Sequence, residues 1–477
     1  MDRRSLLRGA AAVASAGLAR SSGYSGLAEL ASPPIIKIGV DPGKMVGTIL
    51  PSFMGLGYEI SSVAAGGPLV SGSPVYERLV RNLGHDGVIR VGGNTSDYSR
   101  FDPAGTSLAK SKSSVINQSD LNALGTFLNT TGWKLIWGLN LGNGSEQDAV
   151  AEAKAVAKIA GSSLIAFEIG NEPDLFLHEG HRTGSYSYAD YLGEYRRFKH
   201  AIREHLPDTP FAGPDAAVKM DWVKQFAVDE GSDLKLLTCH YYREGQNPSS
   251  TLAKLLHPDP ALLARLKEAR EAGDQARLPY RVCETNSFSG GGRPGVSDTF
   301  GAALWVLDFM YTLASNQAGG VNIETGINQL DFISSYSPLR GDASTGYSAA
   351  PDYYGMLAFA RAAPGKLVSA DYNAAGLEVT AYAVAKENGA LIVTILNKEP
   401  SQDIRLSVET GSHHAHASAL WLRAPGLNSK DDVTLGGAAV AADGSWTPKS
   451  LEEQPVRAGK CEFLLPAASA VVLGLAT

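Results

Sequence analysis

Cysteine is scarce in this chain. The 477 residues hold three, Cys239, Cys283 and Cys461, at spacings that suit neither a disulfide framework nor a zinc site. They read as small buried hydrophobes. Long apolar runs are missing too: no stretch after residue 30 is long or apolar enough to span a bilayer as a helix, so no membrane partner is expected. Basic charge is in deficit, with 42 Lys and Arg against 49 Asp and Glu and a net charge of −7. The chain therefore has no global positive field for a polyanion, and no nucleic acid partner is expected, although a local basic groove stays open. No Gly-Lys-Ser/Thr loop opens a helix, and Gly290-Gly291-Gly292 lacks the lysine that a phosphate cradle needs. His240 and His257 have no neighbours at ligand spacing, and His413-His414-Ala415-His416 reads as a sheet edge or turn. No metal and no cofactor is expected.

What is present begins with Met1-Asp2-Arg3-Arg4-Ser5-Leu6-Leu7 ahead of a weak, alanine-rich apolar stretch. This resembles a twin-arginine export signal, which implies a periplasmic or extracellular protein and sets residues 1–32 apart as signal and linker. The rest is too long for one ordinary core and suits a domain of about 300 residues with a smaller companion. From residue 49 to 365 a short apolar run, a polar or glycine-rich tip and a longer helical stretch recur. The tips end near Glu59, Asn94, Asn140, Glu172, Asp215, Tyr242, Asn286 and Glu324. Eight strand–helix units predict a (β/α)₈ TIM barrel, an α/β fold with a closed parallel sheet. Helices are predicted over residues 148–160 and 188–205 from their spacing. Past residue 365 the pattern changes to β-rich segments separated by Gly, Asn and Asp turns. Residues 366–477 are read as a C-terminal antiparallel β-sandwich, joined by an N-terminal strand within residues 33–48.

In such a barrel the carboxyl ends of the strands form one rim, where sites are built. Two glutamates sit at strand ends: Glu172 on the fourth strand and Glu284 on the seventh. Opposed across the mouth, two carboxylates are what glycoside hydrolysis requires. At about 5.5 Å they would feel each other by roughly 3 kcal/mol at an effective dielectric near 20, or about two pKa units. That keeps one protonated as an acid and leaves the other free to attack. A solvated loop residue or salt-bridge partner is the blander reading of any one such glutamate. Asn171, beside Glu172, and the His240-Tyr241-Tyr242 cluster add an amide, an imidazole and a phenol suited to a sugar and a carboxylate. Arg243 and Arg293 flank the cleft motifs as further candidates for reading a carboxylate, and Asp215 reads as a support for the end of the fifth strand.

Gly170-Asn171-Glu172-Pro173 resembles the acid/base motif of the large retaining clan of (β/α)₈ glycosidases. With Ile89-Arg90-Val91-Gly92-Gly93-Asn94, Gly213-Pro214-Asp215, His240-Tyr241-Tyr242 and Glu284-Thr285-Asn286-Ser287 before Gly290-Gly291-Gly292, the chain resembles glycoside hydrolase family 79, the family of β-glucuronidases and heparanases. The resemblance implies Glu172 as general acid/base, Glu284 as nucleophile and Asn171 at the 2-hydroxyl of the sugar. It also implies Glu59 and Asn94 at the distal hydroxyls, with Asp97 close by, and Tyr242, Gly290, Gly291 and Tyr336 around the uronate carboxylate; His240, from its imidazole, is a further substrate-binding candidate. Heparanase-like members carry a tyrosine directly before the glycines, where this chain has Phe288-Ser289. The expected partner is a glucuronic-acid-containing carbohydrate, and the expected reaction is retaining exo-β-glucuronidase. A heparanase-like endo enzyme, a clan member acting on xylose or arabinose, and a catalytically silent carbohydrate-binding protein are the alternatives.

Overall fold

Buried parallel strands must be apolar nearly throughout because both faces are covered, and each of the eight apolar runs forms one. The computed structural model describes residues 33–327, 333–409 and 414–476. The export-signal expectation, on residues 1–32, lies outside the described residues, as does His413. The barrel strands in chain order are Gly55–Glu59, Val88–Gly92, Lys134–Leu139, Leu164–Ile169, Ala212–Ala216, Leu236–Tyr242, Tyr280–Asn286 and Gly320–Glu324. Neighbours pair in parallel, and the eighth returns to the first through Ile323 and Leu56. Between the fourth and fifth strands the seam is closed by a bridge from Phe167 to Phe211 and by a bond from the Phe167 amide to the Pro210 carbonyl, 2.9 Å. Within the ring, Val88, Ile136, Ala166, Ala212, Leu236 and Cys283 form a small apolar cluster of their own. Helices pack outside it, for example Glu146–Ala160 and Tyr188–Arg203, the second started by a Ser187–Asp190 capping box.

The second sheet holds the strand Ile35–Ile49 between Gly365–Tyr372 and Ile404–Glu409. Its other strands include Val379–Ala385, Leu391–Asn397, His416–Arg423, Lys460–Leu465 and Ser469–Ala476. The sheet is closed, because His416–Arg423 also pairs with Ser469–Ala476. It is not purely antiparallel: Ile35 to Gly39 run parallel to Arg405 to Glu409. A strand arriving from the other end of the chain is free of the hairpin turns that force neighbours to alternate. Its Ile36 and Ile38 are fully buried in the inner layer with Val393, Leu406 and Trp421.

The outer layer meets the barrel. Helix Phe300–Ser315 presents Asp308, which accepts hydrogen bonds from Lys398 Nζ (2.8 Å), Tyr382 Oη (2.8 Å) and Thr380 Oγ1 (2.7 Å) on the sheet. Tyr311 stacks on Tyr382 at 4.5 Å between centroids, a pairing worth about 0.5–1.5 kcal/mol beyond burial. Barrel and sheet thus share one interface core. No helix among the described residues is long and apolar enough to cross a membrane.

Candidate active site

The fourth strand ends at Ile169, and Gly170 turns the chain with φ +83°. Glu172 follows in the left-handed region, φ 49° and ψ 50°, a conformation that costs a residue other than glycine on the order of 1–3 kcal/mol. Neighbouring backbone holds it there: its N–H donates to the Asp215 carbonyl (3.1 Å) and its carbonyl accepts from Leu175 N–H (2.8 Å). Glu284 comes from the seventh strand, where the register against the sixth slips between Val282 and Glu284. Such a bulge re-aims a side chain at a barrel rim.

These two elements bring Glu172 and Glu284 together. One oxygen of each carboxylate and a His240 ring nitrogen all lie within 4.8 Å of one another. Both carboxylates open partly to the cleft, with side chains 12% and 13% exposed. His240 bridges inward, Nδ1 to Glu172 Oε1 and Nε2 to Asp215 Oδ1, each 2.8 Å. Burial alone would lower the imidazole, but the charges of Asp215 and Glu284 and the bonds to Asp215 and Glu172 outweigh it and hold His240 well above its ordinary range. Glu172 is raised by burial; the His240 bond and charge pull it back, and the Glu284 charge adds to the rise. Burial would also raise Asp215, yet Arg90 and His240 hold it at about 2.

Arg90, at the centre of the second strand, has a fully buried side chain. Its guanidinium donates to Glu168 Oε2 (3.1 Å), Glu284 Oε2 (2.8 Å), Asn171 Oδ1 (2.9 Å) and Asp215 Oδ2. Burial opposes its charge, and Asp215, Glu168 and Glu284 together sustain it. Glu284 receives a second donor, Tyr242 Oη, at 3.0 Å. Glu168 is pushed up to about 7 by burial and by Asp215. Glu324, at the end of the eighth strand, is driven well up by burial and by Glu284 and Glu59.

The cleft above the pair has a volume of about 800 Å³ and is lined by Glu59, Asn94, His240, Tyr242, Gly290, Gly291 and Tyr336 among others. Glu59 accepts from the Thr95 and Asn94 amides (2.7 and 3.2 Å) and is raised to about 7, by burial and then by Glu284. A side chain on Gly93 would sit 2.4 Å from the Glu59 carboxyl carbon, so this turn requires glycine. Tyr336 is buried and stacks on Tyr242 at 6.3 Å. Gly290 and Gly291 both have positive φ, and successive turns of this kind gather backbone N–H groups toward an anion.

Four of the sequence candidates do not line the cleft. Asn171 is 1% exposed, its Oδ1 held by Arg90 and its Nδ2 donating to Asn94 Oδ1 (3.0 Å), so Asn94 stands between it and the cavity. Asp97 is equally buried and accepts only backbone N–H groups, those of Leu141, Gly142 and Asn171. Arg243 and Arg293 turn away, to the His257 and Asn247 carbonyls. Of the Phe288-Ser289 pair, the phenylalanine is core and the serine lines the cleft. Sequence reading missed Lys112, Tyr98, His178, Glu179 and Glu244, which also line it. Lys112 and Tyr98 come from the irregular loops between the second and third strands, where no motif marks them.

Among the described residues, two acid groupings have the composition of a metal site: Glu168, Asp215 and Cys283, and Glu172, His240 and Glu284. In the first, Arg90 already donates to both carboxylates. In the second, both ring nitrogens of His240 are already hydrogen-bonded to carboxylates, Glu172 and Asp215.

A family model described as the glycosyl hydrolase family 79 C-terminal beta domain matches residues 379–472. A β-glucuronidase of Neurospora crassa is 30% identical over 330 residues, 60% of this chain and 58% of that protein. Heparanase of Bos taurus is 26% identical over 279 residues, 55% of this chain and 48% of that protein. The chain thus spans about three fifths of the length of the curated β-glucuronidase it matches. Among solved structures, a 4-O-α-L-rhamnosyl-β-D-glucuronidase of Fusarium oxysporum superposes with a TM-score of 0.77 at 19% identity, over 93% of this chain and all of that one. An arabinofuranosidase superposes with a TM-score of 0.68 at 15% identity, over 92% of this chain. Residues 379–472 thus match the glycosyl hydrolase family 79 C-terminal beta domain, and the chain is similar to β-glucuronidases and heparanases over rather more than half its length.

Proposed function

We propose that the protein is a retaining exo-β-glucuronidase, releasing glucuronic acid from neutral aglycones or polysaccharide side chains by double displacement. The observation that carries this reading is that one carboxylate oxygen of Glu172 and one of Glu284 lie within 4.8 Å of each other. Retaining pairs stand about 5–5.5 Å apart, whereas inverting pairs leave about 6.5–9.5 Å for a water. Glu284, steadied by Arg90 and Tyr242, attacks the anomeric carbon as the glycosidic bond breaks. Glu172, whose hold on its proton burial strengthens, gives that proton to the departing oxygen. The resulting Glu172 carboxylate lies against the His240 imidazolium, which stabilises the charge. Water then enters and loses a proton to Glu172 as its oxygen bonds to the anomeric carbon, which frees Glu284.

The relatives named β-glucuronidase support a uronic acid in the cleft. Tyr336 and the amides of Gly290 and Gly291 supply donors for its carboxylate. Charge supports a small neutral leaving group: Glu59, Glu179 and Glu244 share the walls with one lysine, Lys112, and no arginine among the described residues. A long sulfated chain would be repelled by such walls.

Wild-type protein is expected to hydrolyse an aryl β-D-glucuronide with β-glucuronic acid as first product by NMR, and Glu284→Gln to abolish it. From a glucuronate-bearing polysaccharide the product is expected to be the monosaccharide. A ladder of oligosaccharides would establish endo action instead, and faster turnover of an aryl xyloside or arabinoside would establish a neutral sugar.

A further inference from the structure

The residue before Glu172 and the one two places after it are each tied to a neighbouring loop through a buried carboxylate. Asp97, after the second strand, accepts Leu141 N–H (2.9 Å) and Gly142 N–H (2.7 Å) on Oδ1, and Asn171 N–H (2.9 Å) on Oδ2. It thereby joins the loops after the second, third and fourth strands. Asp174 accepts Ala217 N–H (2.9 Å) on Oδ1, and Val218 and Lys219 N–H (2.8 Å each) on Oδ2. It joins the loop of the fourth strand to that of the fifth.

Neither carboxylate forms an ion pair with lysine, arginine or histidine among the described residues, and neither lines the cleft. Both are buried, at 1% and 7% exposure. A buried carboxylate without a cation is costly, and here backbone N–H groups are its compensation. Packing around Asp97 is tight: a Cβ on Gly142 would lie 2.6 Å from the Asp97 Cβ. Between the two anchors sits Glu172, in a left-handed conformation that a free loop would relax.

We propose that Asp97 and Asp174 are positioning residues that clamp the loop of Glu172 from its two sides and so set the direction in which it delivers its proton. This rests on the reading of Glu172 as acid/base. If the clamp slips, proton delivery suffers while attack by Glu284, anchored separately through Arg90 and Tyr242, does not.

The test compares kcat/KM for aryl β-D-glucuronides with poor and good leaving groups, in wild type and in Asp97→Asn and Asp174→Asn. Displacing a catalytic group by about 1 Å costs on the order of 10²-fold. Each variant is therefore expected to lose ~10- to 100-fold on phenyl glucuronide and less than about threefold on 2,4-dinitrophenyl glucuronide, whose leaving group needs no proton. Azide, which attacks the glycosyl-enzyme and displaces Glu284 without needing a base, should raise turnover of the dinitrophenyl substrate in the variants and yield the β-glucuronosyl azide. Val218→Pro removes one N–H that Asp174 accepts, at an exposed position on the cleft wall, and keeps both aspartates; a change in the wall alone would lower turnover of both substrates alike. It should show the same pattern more weakly, and it decides the matter if the buried substitutions fail to fold. Equal losses on the two substrates, or none, would overturn the clamp. If wild type ignores aryl glucuronides, the proposed function fails, and the same ratio is taken on whichever aryl glycoside it does hydrolyse.

Discussion

His240 has two tasks that can be separated. Its Nε2 bonds Asp215, which also receives Arg90, and its Nδ1 bonds Glu172. The imidazolium therefore opposes the rise that burial imposes on Glu172. Replacing it by an uncharged donor, His240→Gln, removes that opposition, so the Glu172 proton should be held to higher pH. The basic limb of the kcat/KM profile, which reports the free enzyme's acid, is expected to move toward alkaline pH, while kcat falls because Glu172 becomes harder to leave as a carboxylate. A basic limb unchanged or moved toward acid would show that His240 does not tune Glu172. Arg90 belongs to this scale too. As part of a quoted motif it was visible in the sequence, but its role was not: its four acceptors come from the fourth, fifth and seventh strands and the loop at Asn171. Only closure of the ring assembles them.

Among the elements, the strand Ile35–Ile49 carries a burden its length does not announce. It fills the gap between two strands of the second sheet and buries Ile36, Ile38 and Ile49. Trimming Ile38 to alanine leaves a cavity under a closed sheet, and the usual cost is about 2–5 kcal/mol. Urea unfolding of Ile38→Ala should show that loss, while kcat of the folded enzyme stays at the wild-type value because Ile38 lies in the second sheet and the site at the barrel rim. The eight barrel strands were legible because a covered parallel strand must be apolar and its tip polar, and Phe167-Glu168-Ile169-Gly170-Asn171-Glu172 shows both within six residues. The closeness of Glu172 and Glu284 followed from their positions on facing strands. What stayed hidden depends on contacts made across the chain. The parallel pairing of Ile35 with Arg405 has no local signature. The loops that carry Tyr98 and Lys112 into the cleft obey no periodicity.

Across the whole molecule, buried acids set how stability responds to pH. Glu59, Asp97, Glu152 and Glu168 are each raised to about 7, in every case chiefly by burial. In the unfolded chain they release protons near 4, so between about pH 4 and 7 the folded state binds more protons and stability falls as pH rises. His240, raised well above 6.5, acts in the same sense: its contribution is full below 6.5 and is lost as pH climbs through its folded value. Asp215, held near 2, contributes above about 4 and loses that contribution only as pH falls toward 2. The melting temperature is therefore expected to be higher at pH 5 than at pH 8 by scanning calorimetry, and a maximum at pH 8 would contradict this account of the buried acids. The placement of Ile35–Ile49 also has a consequence for synthesis. Ile38 pairs with Tyr372 and Val408, so a strand made before the barrel waits for partners made after it. At roughly 5–20 residues per second, the interval is on the order of tens of seconds. Through it the barrel strands emerge one after another beside their neighbours, while Ile36 and Ile38 have nothing to cover them. The sheet that stands beside the barrel in space is, in time, a frame opened before the barrel is made and shut after it.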